Sequence, residues 1–227
     1  VPIERLRRIL RAACASGLLL GAGAAGLARG AGLAAIVRDA KGDPVPDAVI
    51  VAVPIAGLPK AQGERPKEVI DQVDKEFVPQ VKVVRVGTSI SFPNKDNIRH
   101  HVYSFSPAKK FELPLYRGVP AEPVLFDKPG LVILGCNIHD WMIAYLYVVE
   151  SPWFATTGKD GAARLGDLPA GEYDVLAYHP RAKDPAEPLR QRVSVGAATA
   201  AGVSFGMTLK PPVRSSRPPK GGEADYP

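Results

Sequence analysis

The feature that most restricts this chain is a pair of strongly β-forming runs, Leu131–Leu134 and Ile143–Val149. They stand on either side of Gly135-Cys136-Asn137-Ile138-His139-Asp140-Trp141-Met142. β-Branched and aromatic residues dominate both runs, and a loop of this length joins two strands as a hairpin. Cys136 then ends one strand and Met142 opens the next. An isolated hairpin is not stable in water, so other strands must cover its faces. Candidates are Ala35–Asp39, Ala48–Val53, Val69–Ile70, Val81–Val86, Ser89–Phe92 and His101–Phe105, with turns at Lys41-Gly42-Asp43-Pro44 and Val86-Gly87-Thr88. Helical periodicity is nearly absent after residue 28. The pattern predicts an all-β chain built as a sandwich.

The hairpin loop carries three donors at three-residue steps: the Cys136 thiol, the His139 imidazole and the Met142 thioether. A second imidazole from the head of the following strand candidate, His100 or His101, would complete two His, one Cys and a weak axial Met. That set belongs to blue-copper electron-transfer sites. Alternation favours His100, because a strand that turns His100 toward the ion turns Val102 with it and His101 away. His179, in Tyr178-His179-Pro180-Arg181, reads as structural or surface.

Cysteine usage and the first thirty residues bear on location. Arg5, Arg7, Arg8 and Arg11 precede an Ala/Leu/Gly run over residues 12–27, and small residues follow from Ala24 to Gly30. That order is a secretory signal, assigned to residues 1–28, with periplasmic export as its consequence and no stable membrane span once it is cleaved. The formal charge of +6 falls to +3 without those residues, so the basic balance gives no reason to expect nucleic-acid binding. Of the two cysteines, Cys14 lies in the signal, leaving Cys136 as a lone thiol. In an oxidising compartment such a thiol is a liability unless buried or occupied.

Residues 66–150 resemble the plastocyanin/azurin family of cupredoxins. The resemblance rests on Phe77-Val78-Pro79, the apolar run Val81–Val86, Gly87-Thr88, Ile90-Ser91-Phe92, Asn94, His100 and the Cys136–Met142 loop. The loop spacing is similar to that of amicyanins. More narrowly, Phe92-Pro93-Asn94, His100–Ser106 and Cys136–Met142 resemble methylamine-utilisation cupredoxins. The resemblance implies a Greek-key sandwich, one type 1 copper per chain on His100, Cys136, His139 and Met142, and one-electron transfer without substrate chemistry. It implies a redox partner such as a c-type cytochrome or a periplasmic dehydrogenase. In the family the first ligand His is usually followed by Asn, whose backbone N–H bonds the cysteine sulfur; here His101 follows.

A second resemblance concerns the flanks. Asp39–Val49 and residues 157–178 are similar to two halves of a small transthyretin-like (carboxypeptidase regulatory-like) β-sandwich, separated here by about 100 residues. Residues 33–56 are thus either the first half of that module, completed by 151–210 around an inserted cupredoxin, or extra cupredoxin strands. The tail, 211–227, is Pro-, Gly- and charge-rich and reads as disordered. The competing function is an envelope copper-binding or structural protein whose transthyretin-like module binds a partner.

Overall fold

The computed structural model describes residues 31–60, 63–120, 122–197 and 201–211. The signal assigned to residues 1–28, with Cys14, and the tail beyond residue 211 lie outside the described residues. Among the described residues, seventeen strands follow in order. The first seven are β1 (Ala31–Asp39), β2 (Val49–Pro54), β3 (Lys67–Val69), β4 (Asp71–Val73), β5 (Glu76–Val78), β6 (Val81–Arg85) and β7 (Thr88–Ser91). Next come β8 (His100–Ser106), β9 (Lys109–Tyr116), β10 (Val124–Phe126), β11 (Gly130–Gly135) and β12 (Ile143–Val149). The last are β13 (Trp153–Thr156), β14 (Ala162–Leu168), β15 (Gly171–Tyr178), β16 (Leu189–Val195) and β17 (Ala201–Met207). The described residues contain no helix. The fold is all-β.

Two sandwiches result. In one, the sheet β14-β1-β17 packs on β13-β2-β15-β16 around Leu33, Ala35, Val37, Ile50, Val175 and Phe205. In the other, β6-β12-β11-β8-β9 packs with β10-β7-β3 around Ile90, Phe92, Val102, Val132, Leu134 and Leu146. A separate ribbon, β4-β5, stands beside the second. Strands β1 and β2 pair with β13, β14, β15 and β17, and with none of the strands from 67 to 149.

The two most continuous apolar runs owe their composition to how the sandwiches meet. On β2, Ile50 and Ala52 enter the first core, whereas Val49 and Val51 face the other way. On β12, Ala144, Leu146 and Val148 enter the second core, and Tyr147 and Val149 join Val49 and Val51. A strand buried on both faces cannot alternate apolar with polar residues. Elsewhere one face meets solvent and alternation returns, as in β1, where Leu33, Ala35 and Val37 are buried and Ile36 and Arg38 are exposed.

Candidate metal centre

Strand β11 ends on Gly135, and the chain turns at once. The Met142 N–H donates to the His139 carbonyl at 2.9 Å, closing the loop tightly enough for β12 to begin at Ile143. The register that follows sets Gly135 beside both Ile143 on β12 and Tyr103 on β8. His100, at the head of β8, is thereby brought to the same end of the sheet as Cys136. A Cβ at 135 would lie 2.8 Å from the Tyr103 ring, so the ring would have to move aside.

His100, Cys136 and His139 come together, with one donor atom from each lying within 4.8 Å of the others. All three are buried, at 0%, 3% and 7% exposure. Cys136 Sγ is 3.9 Å from His139 Nδ1, long for a hydrogen bond. Two donors on one ion, at about 2.3 Å for sulfur and about 2.0 Å for imidazole, stand roughly 3.6–3.8 Å apart. The spacing therefore suits a shared ion better than a proton. Met142 is buried in the same core as Cys136.

The His100 ring is polarised. Its Nε2 lies 2.7 Å from Asp96 Oδ2, while Nδ1 is buried without a hydrogen-bond partner. The Nδ1 of His101 is buried without a hydrogen-bond partner as well. Burial lowers the His100 pKa, but Cys136 and Asp96 outweigh it and hold the group above its ordinary value. Burial likewise raises the Cys136 thiol, yet His100 and the backbone N–H groups of His101, Ile138 and His139 bring it below its usual range. The same groups favour the thiolate, the form that binds metal. One of the backbone N–H groups that hold it comes from His101, the residue after His100.

His101 itself is not in the group. Its Nε2 lies 2.8 Å from Glu112 Oε1, and its ring packs 5.4 Å from that of Tyr103. Alternation turns it to the opposite face, as the sequence suggested, but not into solvent, because Glu112 and Tyr103 cover it there. Between His100 and Val102 the pairing with β9 slips by a bulge. Ile138 and Trp141 flank His139 and are half-buried, while Asp140 is exposed. The Trp141 ring stands 5.1 Å from His139, and its Nε1 donates to the Lys75 carbonyl at 3.1 Å.

Sequence reading missed three parts of this site: Asp96, the β4–β5 turn at Asp74-Lys75, and strand β9, which carries Glu112. Asp96 stands among Asn94, Lys95 and Asn97 in an ordinary polar loop. Nothing in its spacing announces that its carboxylate folds back onto a histidine. His179 is structural: Nε2 lies 3.2 Å from the Pro46 carbonyl, and Nδ1 accepts the Arg181 N–H at 3.0 Å.

No family model and no curated protein matches the chain. Parts of it are similar to solved structures of copper proteins. A Cu-containing nitrite reductase from Thermus scotoductus shares 27% identity over 43% of this chain, with a TM-score of 0.35. The aligned part spans only 25% of that protein's length. A purple cupredoxin from Nitrosopumilus maritimus shares 19% identity, covering 36% of this chain and 98% of that one, with a TM-score of 0.32. An amicyanin variant in the Cu(I) state shares 19% identity over 37% of this chain and 82% of its own, with a TM-score of 0.33. No helix among the described residues is long and apolar enough to cross a membrane.

Proposed function

We propose that this protein is a periplasmic type 1 copper protein that carries single electrons. One copper would be held by the His100, Cys136 and His139 side chains, with the Met142 thioether as a further, weak donor. The observation that carries this reading is the buried His100–Cys136–His139 group, one donor atom from each lying within 4.8 Å of the others. Thiolate, imidazole and thioether are the donors that select copper of this type. Copper bound there would supply a Cu(I)/Cu(II) couple.

The chain's own residues do the rest. His100 sits at a strand head, Cys136 follows a strand end, and His139 and Met142 belong to one closed turn, so the donors have little freedom to rearrange between oxidation states. Val102, Leu134 and Ala144 are buried in the core that holds Cys136 and Met142, an apolar setting that keeps bulk water away. His139 is the least buried of the three clustered donors, and its half-buried neighbours Ile138 and Trp141 give electrons a short apolar way out. Small, weakly held contacts suit redox encounters, and a c-type cytochrome or periplasmic dehydrogenase is the proposed partner. The location rests on the order of charged, apolar and small residues over the first thirty positions. The pairing of β1 and β2 with strands beyond residue 150 supports reading the copper-bearing sandwich as inserted into a transthyretin-like one.

The test is titration of the purified protein with Cu(II). One equivalent should produce an intense visible charge-transfer band and the small copper hyperfine splitting of a thiolate-bound site in EPR. Cys136→Ser and His100→Ala should lose both, and His101→Ala should keep them. A Cys136→Ser variant that remained blue would refute the assignment.

A further inference from the structure

Asp96 lies in the loop between β7 and β8, four residues before His100. Its carboxylate meets three N–H groups: Asp74 N–H at 2.7 Å and Lys75 N–H at 2.9 Å from the backbone, and His100 Nε2 at 2.7 Å. Asn94 Oδ1 accepts the Asp96 N–H at 3.0 Å, while its amide donates to the Ile98 and Tyr116 carbonyls and sets the loop's path. The side chain of Asp96 is only 12% exposed.

The Asp74-Lys75 turn is built for this contact. Both residues have positive φ, 52° and 60°, the signature of a two-residue hairpin turn of the primed kind. That conformation aims both N–H groups at the same carboxylate. On its other side the turn accepts Trp141 Nε1 through the Lys75 carbonyl, and Trp141 packs on His139. One turn thus holds both donor-bearing segments: through Asp96 it reaches His100, and through Trp141 it reaches the Cys136–Met142 loop.

We propose that Asp96, held by the Asp74-Lys75 turn, is the positioning residue that orients His100 and sets the donor strength of its imidazole. The inference rests on the copper reading above. A carboxylate can only accept, so it keeps the proton on Nε2 and presents the Nδ1 lone pair to the ion. It also pushes electron density into the ring, which favours Cu(II) over Cu(I) and lowers the potential. A carboxylate this poorly exposed is weakly screened. The adjacent histidine supplies a built-in control, because His101 has its own carboxylate, Glu112, yet stands outside the donor group.

The experiment is Asp96→Asn in the full chain, with Glu112→Gln beside it. Outer-shell partners of ligand histidines are commonly worth tenfold or more. Asp96→Asn should therefore stay blue while Cu(I) becomes favoured about tenfold, a rise of about 59 mV for a one-electron couple. Glu112→Gln should move the potential far less. In wild-type metal-free protein, NMR of the histidine rings should show His100 carrying its proton on Nε2, in slow exchange with solvent. That readout needs no variant, so a poorly folding Asp96→Asn leaves the proposal testable. An unchanged potential in a blue Asp96→Asn protein, or a wild-type His100 protonated on Nδ1 alone, would overturn it. A wild-type protein that never turns blue would instead sink the copper reading and leave the NMR result to decide the role of Asp96.

Discussion

Replacing Thr157 by Val would test how the first sandwich is closed across the second. The Thr157 hydroxyl donates to the Val45 carbonyl at 2.7 Å and accepts the Ala48 N–H at 2.9 Å. Backbone bonds between Thr157 and both Asp47 and Ala48 run alongside. These are contacts between residues more than 100 positions apart, and Val45, Ala48 and Thr157 are all buried. Valine has nearly the shape of threonine, so no cavity forms; what is lost is the partner of one buried N–H and one buried C=O. Each orphaned group costs about 1–3 kcal/mol, or about 2–6 kcal/mol for the pair. For a chain of 227 residues, 1 kcal/mol moves the thermal midpoint by about 2–4 °C, so a fall of about 4–24 °C is expected. The two tryptophans report separately. Trp153 packs edge-on to Tyr173 in the first sandwich, and Trp141 packs on His139 in the second. Thermal unfolding of the metal-free Trp141→Phe protein then follows the first sandwich, and that of Trp153→Phe the second. The Trp153 transition should fall by the full amount and the Trp141 transition by less. A Trp153 midpoint lowered by under about 2 °C would show that residues 45–48 are not held through Thr157.

Met142→Leu should remain blue with a higher potential, on the order of a tenfold shift toward Cu(I), about 59 mV, because an apolar axial neighbour favours the lower charge. Loss of copper from that variant, measured by metal analysis, would show that Met142 is more than a weak axial donor. His179 gives a pH dependence. Burial lowers its pKa, and with Nε2 against a carbonyl and Nδ1 accepting an N–H, only the neutral ring satisfies both neighbours. Its stabilising contribution is therefore complete above the unperturbed histidine pKa of about 6.5 and is lost as pH falls from there toward the folded value. Urea midpoints of metal-free protein between about pH 7.5 and about pH 5 should fall more for wild type than for His179→Asn; equal slopes would refute the assignment. Gly161→Ala should destabilise the first sandwich by about 1–3 kcal/mol or more. The residue has a φ of +73°, and a Cβ there would lie 2.5 Å from the Val37 carbonyl oxygen. A thermal midpoint within about 1 °C of wild type would contradict that.

Local order was legible in the residues because it follows from local chemistry. The strands around the Cys136–Met142 loop are written in β-branched and aromatic residues whose preference needs no partner. The donor spacing in that loop survives any packing that keeps the hairpin. The preference for His100 over His101 came from the two-residue period of a strand, a property of the backbone alone. Tertiary structure decided the rest, for reasons that no local window contains. The pairing of β1 with β17 joins residues more than 160 positions apart, and only the assembled sheet shows it. Strands β2 and β12 are apolar on both sides because each is buried between a core and the other sandwich, which a run of valines cannot reveal. Asp96 is an unremarkable loop residue until β4 and β5 fold beside it; only then do two backbone N–H groups and a histidine converge on one carboxylate. The spacing of Cys136, His139 and Met142 is a matter of sequence, whereas the surroundings of His100 depend on hydrogen bonds from segments distant along the chain.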